Sequence, residues 1–146
     1  MIWKEIEMPR LEIPSSVFEQ MVSQARRAVP IEACGILAGR AGRVEKYYEM
    51  TNADKSATHF TMLPEEQFEV IKGIRATGLE MLAICHSHPA TPARASAEDV
   101  RLALTQDVVY VVLSLQDADC PALKGFIIED GSVTEMPVRI VNERNE

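Results

Sequence analysis

Residues His86–Asp99 read HSHPATPARASAED, and this stretch decides both the fold and the chemistry expected of the chain. The apolar run that precedes it, Leu79–Cys85, has the length and composition of a buried strand. Since side chains alternate along a strand, His86 and His88 should point to one face of the sheet and the serine between them to the other. Pro89 cannot continue a sheet ladder, so the chain is expected to leave the sheet just after His88.

The end of the stretch, SAED, has the pattern of a helix start, with Ser96 as N-cap and acids in the first turn. Two imidazoles and the carboxylate of Asp99 can then converge where a strand ends and a helix begins. Zinc accepts imidazole nitrogen and carboxylate oxygen, and a catalytic zinc keeps three protein ligands and one water. His86, His88 and Asp99 supply this set, while Cys85 should face the other way. The pattern therefore indicates a metal site with one open position.

Glu32 is the candidate for the group that takes a proton from the attacking water. It is an isolated acid between Ile31 and Ala33, just ahead of an apolar run that should form a strand. Ser96 has two alternative roles, because its hydroxyl can cap the helix or donate a hydrogen bond to a developing oxyanion. A His-x-His pair or an S-x-x-D helix start is commonplace when taken singly. Their combination with Pro89 and an upstream Glu32 favours a functional site.

The composition is that of a globular protein rather than of a nucleic-acid-binding or membrane protein. The 146 residues are 47% hydrophobic and carry a net charge of −7, which argues against nucleic acid or an anionic membrane as the main partner. No apolar run has the length of a membrane span, and the acidic N-terminal sequence lacks the apolar core of a signal peptide. Three cysteines without a CxxC pair fit a reducing compartment. We therefore expect a single cytoplasmic domain over residues 1–146.

The rest of the chain alternates predicted helices and strands, which indicates an α/β or α+β domain with a mixed central sheet flanked by helices. The first helix is expected to start near Pro14 with a capping box made by Ser16 and Glu19, and to end at Pro30. The other two helices are expected over 64–77 and from 96 to about Gln106. Strands are expected over 34–39, 44–50, 57–62, 79–85, 108–115, 123–128 and 132–140, with an edge strand within 1–13 and hairpin turns at 41–42 and 130–131.

The candidate residues resemble the signature of the JAMM (MPN-plus) metalloprotease family, a glutamate upstream of H-[ST]-H-P-x6-S-x-x-D. Glu32, the HSHP at 86–89, Ser96 and Asp99 match every position at the family's spacing, and the likeness runs from about residue 15 to 128. The resemblance implies a cytidine-deaminase-like core in which the two histidines and Asp99 bind one zinc ion. It implies Glu32 as general base and acid, and Ser96 at the tetrahedral intermediate.

The resemblance also implies a substrate. Family members hydrolyse an amide or isopeptide bond, usually at the C-terminal tail of a ubiquitin-like protein, and stand-alone prokaryotic members act on ubiquitin-like or sulfur-carrier proteins. The segment 57–62 is expected to lie beside the site and to offer a strand edge to such a tail. His59 within it is a weaker candidate for the wall of the substrate groove.

Two other functions remain open from the sequence. A metal-dependent hydrolase of a small amide would use the same residues, and a non-catalytic MPN-type scaffold would keep the fold to bind a partner. The intact Glu32 and the full ligand set argue against the scaffold, because a pure binding module has no need of an open metal with a base beside it.

Overall fold

The computed structural model of the chain describes residues 10–105 and 107–142, and within them it contains three helices and eight strands. The helices are α1 (Ser15–Ala28), α2 (Pro64–Ala76) and α3 (Ala97–Arg101). The strands are β1 (Leu11–Pro14), β2 (Cys34–Arg40), β3 (Arg43–Met50), β4 (Glu80–His88), β5 (Val109–Ser114), β6 (Ala122–Glu129), β7 (Ser132–Met136) and β8 (Val138–Val141).

The strands form one mixed sheet in the order β7-β6-β5-β4-β2-β3-β1-β8. The β4–β5, β1–β3 and β1–β8 pairs are parallel and the other pairs are antiparallel. β7 and β8 stand at opposite ends of this order but are joined by Pro137 alone, so the sheet curls until its two edges meet. A Cβ at Gly125 of β6 would lie 2.6 Å from Val138 Cγ2, so only glycine fits where β6 and β8 approach.

Central strands bury residues on both faces of the sheet, because successive side chains alternate. On one face, Met21 and Ala25 of α1 pack in a cluster with Val111 of β5. On the other face, Val112 of β5 packs in a second cluster with Ile74 of α2 and with segments on either side of α3. Helices on both faces of a mixed sheet confirm the predicted α/β architecture.

The helix boundaries differ from the prediction at two places. The capping box of Ser16 and Glu19 is wrong, because α1 starts at Ser15 with Pro14 at the N-cap and no side-chain cap hydrogen bond. α3 ends at Arg101 instead of running to about Gln106, which itself lies outside the described residues. The Thr105 N–H donates to the Tyr110 hydroxyl, and this hydroxyl donates to the Thr105 carbonyl, each at 2.9 Å. These contacts with a strand residue replace helical hydrogen bonds.

Two predicted strands also change. Segment 57–62 is a loop, with one isolated antiparallel bridge between Met62 and Asn52. The predicted strand 132–140 is split into β7 and β8, because Pro137 has no N–H to give to a ladder. The strand expected within 1–13 is β1, but its prediction as an edge strand is wrong, because β1 lies between β3 and β8. Residues 1–9 lie outside the described part of the chain. In the described ranges, no helix has the length and apolar character needed to cross a membrane.

Candidate metal centre

His86 and His88 lie at the end of β4, which is held between β2 and β5 in the middle of the sheet. Both residues are 4% exposed. Ser87 between them is buried on the α1 side, and its Oγ accepts the Ala33 N–H at 2.8 Å. The predicted alternation is therefore present, and the ladders on both sides of β4 fix the backbone that carries the two imidazoles.

The start of α3 brings Asp99 to both histidines. Ser96 Oγ accepts the Asp99 N–H at 3.0 Å, and Asp99 Oδ2 accepts the Ser96 N–H at 2.9 Å, which completes a capping box. The same carboxylate places Oδ1 3.1 Å from His86 Nε2 and Oδ2 3.1 Å from His88 Nε2. Ser96 thus caps α3 as the sequence predicts, and the cap aims the Asp99 carboxylate at the histidines.

The three side chains form a donor set that fits one metal ion. The Nε2 atoms of His86 and His88 lie 3.2 Å apart. Two ligand atoms bound to one zinc at about 2.0–2.1 Å and a tetrahedral angle are separated by about 3.3 Å. His88 Nδ1 donates to the Pro92 carbonyl at 2.9 Å, so the Nε2 of a neutral His88 turns a lone pair toward Asp99. Lone pairs that converge on one point need a proton or a cation between them.

The electrostatics of the site favour a cation at the point where the lone pairs of His86, His88 and Asp99 converge. Burial alone would raise the pKa of Asp99, but hydrogen bonds from His86 and His88 hold it well below its ordinary value. Burial lowers the pKa of His88, but hydrogen bonds to Asp99 and to the Pro92 carbonyl outweigh this effect and raise it. An anionic carboxylate beside a proton-binding imidazole is the electrostatic environment that a divalent cation needs.

Glu32 lies next to the donor set. Its ligand atom and those of His86 and His88 all lie within 4.8 Å of one another. Glu32 is 2% exposed, and its Oε1 has no hydrogen-bond partner among the described residues. Burial raises the pKa of Glu32 from 4.5 to about 8, against a smaller lowering by the charge of His88. A carboxyl group that changes protonation near neutral pH suits proton transfer.

A cavity of about 270 Å³ opens beside the donor set, and its wall includes His86 and Asp99. Phe60 stacks on the His86 ring with centroids 4.9 Å apart, and His59 is also part of the wall. Residues 59–62 of segment 57–62 therefore line the cavity, as part of a loop instead of the predicted strand. The remaining wall is mainly apolar and includes Ile84, Leu102, Tyr110, Val112 and Phe126.

The two buried cysteines near the site lack the properties of a nucleophile. Burial raises the pKa of Cys34 to about 12, and raises that of Cys85 well above its ordinary value. Cys85 also belongs to the cluster on the α1 face, opposite to the donor set, as the strand alternation predicts. Neither thiol forms a thiolate near neutral pH, which excludes a cysteine–histidine mechanism with Cys85.

Two further residues lie at the site without any local signal in the sequence that indicates their position. Phe60 appears in the sequence only as one residue of a predicted short strand, and its stacking on His86 reveals its position. Asn52 appears as a turn residue, but it is buried and its Nδ2 donates to the Glu32 carbonyl at 3.0 Å. No local pattern carries this information, because the partner is twenty residues away in the sequence.

Comparison with known proteins places this donor set in a family. Residues 14–124 match the family described as prokaryotic homologs of the JAB domain, and this range covers all five candidate site residues. The chain belongs to the prokaryotic JAB family. The resemblance to JAMM proteins that the motif indicates is thereby confirmed.

This prokaryotic JAB protein is similar to individual relatives and to a solved structure along most of its length. The CysO-cysteine peptidase of Mycobacterium bovis is 40% identical over 135 residues, which cover 91% of this chain and 92% of the relative. A probable TtuB-protein conjugate cleaving protease of Thermus thermophilus is 29% identical over 129 residues, or 88% and 82% of the two chains. The solution structure of protein DSY2949 from Desulfitobacterium hafniense superimposes with a TM-score of 0.84 at 42% identity, covering 91% and 94%.

Proposed function

We propose that this prokaryotic JAB protein is a zinc metallopeptidase that hydrolyses an amide or isopeptide bond at the C-terminal tail of a ubiquitin-like or sulfur-carrier protein. The observation that carries the proposal is the convergence of the two Nε2 atoms and the Asp99 carboxylate, at 3.1–3.2 Å. Beside them lies a buried Glu32 oxygen that has no hydrogen-bond partner within the described part of the chain. Two relatives support it, since one is named for CysO-cysteine and the other for TtuB-protein conjugates. We further propose that residues 1–146 act as one domain.

In this proposal, His86, His88 and Asp99 hold one zinc ion per chain. Glu32 could serve as a third ligand in place of Asp99, because its carboxylate lies within 4.8 Å of both imidazoles. Asp99 is favoured, since it already contacts both Nε2 atoms at 3.1 Å and is anionic, whereas Glu32 has a raised pKa. This assignment leaves Glu32 free for proton transfer.

A zinc ion held by His86, His88 and Asp99 would supply Lewis-acid chemistry, since it would lower the pKa of a water molecule and polarise the scissile carbonyl. Glu32 accepts a proton from the attacking water and returns it to the departing amine nitrogen as the C–N bond breaks. A new C–O bond forms, and the products are a carboxylate and an amine. A Glu32 pKa of about 8 in the metal-free site suits a group that must both accept and donate a proton.

Ser96 is proposed to assist the reaction as well as to cap α3. Its Oγ accepts the Asp99 N–H, and a hydroxyl that accepts one hydrogen bond still has its own proton to donate. We propose that the Ser96 O–H donates a hydrogen bond to the oxyanion that develops on the scissile carbonyl.

The burial of the site favours an extended tail as the substrate. The side chains of His86, His88 and Asp99 are only 2%, 5% and 6% exposed, so the rounded surface of a folded protein cannot reach them. The cavity lined by Phe60 and His59 gives a narrow segment of chain access to the donor set. Free thiols at Cys34, Cys85 and Cys120 fit a reducing compartment, and we propose a cytoplasmic location on that ground.

The proposal is tested with the zinc-loaded protein and CysO that carries a C-terminal cysteine. The expected result is release of that cysteine, which is monitored by intact-mass spectrometry. The His88→Ala protein should release none. A wild-type protein with one bound zinc that leaves this conjugate and a TtuB–protein conjugate intact would contradict the proposal. Efficient hydrolysis of small amides in that same preparation would favour the small-amide alternative, and no hydrolysis at all would favour the scaffold.

A further inference from the structure

Asn52 is a buried amide that joins separate parts of the chain at the candidate metal centre. It follows β3, is 8% exposed, and uses both ends of its side chain. Its Nδ2 donates to the carbonyls of Glu32 and His59, each at 3.0 Å, and more weakly to that of Ser56 at 3.4 Å. Its Oδ1 accepts the Asp54 N–H at 3.1 Å and the Thr61 N–H at 3.4 Å.

The backbone of Glu32 depends on this amide, because Glu32 lies outside the sheet ladder. β2 begins only at Cys34, so neither neighbouring strand holds Glu32 in register. Its carbonyl accepts the Asn52 Nδ2–H, and its N–H donates to the Ser56 carbonyl at 2.9 Å. Ser56 belongs to the same loop that Asn52 organises, so both backbone groups of Glu32 are tied to that loop.

The other end of the loop reaches the histidines. Phe60, which stacks on His86, is flanked by His59 and Thr61, and the backbones of both flanking residues bond to the Asn52 side chain. One amide therefore sets the position of the Glu32 backbone relative to the ring that packs on His86. A displacement of about 1 Å of a reacting group can cost about a hundredfold in rate.

We propose that Asn52 is a positioning residue, which holds Glu32 at the distance from the donor set that proton transfer requires. The catalytic part of this inference rests on the proposed function, whereas the structural part does not. The competing explanation is that Asn52 only satisfies buried backbone groups and contributes to stability like any other buried amide.

Gln24 provides a matched control for that explanation. It is 7% exposed, and its Nε2 donates at 2.9 Å to the carbonyl of Cys34, two residues after Glu32 but from the α1 side. Asn52→Leu and Gln24→Met each replace a buried amide with an apolar side chain of similar size. Asn52→Asp is a second variant, because it keeps the acceptor for Asp54 and Thr61 and removes the amide donor.

The first measurement is amide hydrogen exchange on the metal-free proteins. Asn52→Leu should speed exchange at the N–H groups of Glu32 and Thr61 at least tenfold, relative to the N–H groups within β2. Asn52→Asp should speed exchange at the Glu32 N–H to a similar extent, whereas the Thr61 N–H keeps its acceptor. Gln24→Met should leave the Glu32 and Thr61 N–H groups near their wild-type rates. Wild-type protection of Glu32 in both Asn52 variants would overturn the proposal, whatever the protein's activity.

The closing measurement is cleavage of the CysO–cysteine conjugate by zinc-loaded proteins with zinc content matched by elemental analysis. The Asn52 variants should lose about a hundredfold in kcat, while Gln24→Met should stay within about threefold of wild type. In a Glu32→Gln background, Asn52→Leu should change the residual rate by less than about threefold, because the group it positions is already lost. Equal losses in the two backgrounds, or equal kcat in the Asn52 and Gln24 variants, would overturn the positioning role. An inactive wild type would refute the proposed function instead, and the exchange rates would still decide the position of Glu32.

Discussion

Replacing Ser87 with alanine should destabilise the protein without touching the face of the sheet that carries the donor set. Ser87 is 2% exposed, and its Oγ accepts the Ala33 N–H at 2.8 Å. Alanine leaves this buried N–H without an acceptor, and such a loss costs about 1–3 kcal/mol. The space beside Ser87 is about 10 Å³, enough for at most about one water, and a water admitted there brings the cost toward the lower limit.

The assay is thermal unfolding of metal-free protein in a chelator, so that metal affinity does not contribute. An unfolding entropy of about 2.1 cal/mol/K per residue corresponds to about 0.3 kcal/mol/K for this chain, so the midpoint should fall by about 3–10 °C. Ser132→Ala, the same substitution at an exposed position in β7, should shift it by less than about 2 °C. A Ser87→Ala midpoint equal to that of Ser132→Ala would refute the reasoning that the Ala33 N–H depends on this hydroxyl.

Four further outcomes are expected. His86→Ala and His88→Ala should each lose zinc, measured by elemental analysis against about one ion per wild-type chain; unchanged zinc would contradict the ligand assignment. Chelated wild-type protein should still unfold cooperatively in calorimetry, because a 146-residue core does not need the metal; loss of the transition would make the metal structural. Ser96→Ala should lose about 1 kcal/mol of stability with the cap and about a hundredfold in turnover with the oxyanion donor, and a variant that loses stability alone would leave Ser96 as a cap. Burial raises the pKa of Glu32 to about 8, so the neutral carboxyl group favours the folded state. This contribution to the free energy of unfolding is fully present below about pH 4.5 and is lost as the pH rises through about 8. Denaturant titrations of metal-free wild type should therefore show falling stability across that window relative to Glu32→Gln, and parallel curves would contradict the raised pKa.

The sequence predicts those parts of the site that follow from local periodicity. Strand alternation places His86 and His88 on one face and Ser87 on the other, and the S-x-x-D pattern predicts the cap at Ser96. These two local rules are sufficient to bring Asp99 near both imidazoles, because α3 starts soon after β4 ends. The donor set was therefore predictable before any tertiary contact was known, although the roles of its members remain predictions.

Two features that the sequence does not predict depend on a side chain that lies outside the predicted element. The hydroxyl of Tyr110 forms hydrogen bonds with the N–H and the carbonyl of Thr105. The helix α3 ends at Arg101, although the helical spacing of the sequence continues beyond it. The side chain of Asn52 forms hydrogen bonds with backbone groups of segment 57–62, which forms a loop despite its strand-like composition. In both cases a side-chain hydrogen bond competes with the backbone hydrogen bonds of secondary structure. Local residue propensities do not predict the outcome of that competition.

The most direct test of the account is a single comparison of zinc content and turnover for Glu32→Gln protein. Glutamine has nearly the size of glutamate and can still hydrogen-bond a water, but it cannot accept a proton. If Glu32 is the base and Asp99 the third ligand, the variant should bind about one zinc per chain and release cysteine from the CysO conjugate about a hundred- to ten-thousandfold more slowly than wild type. A Glu32→Gln protein with full zinc and near-normal turnover would contradict the mechanism, and one that has lost its zinc would identify Glu32 as a ligand instead.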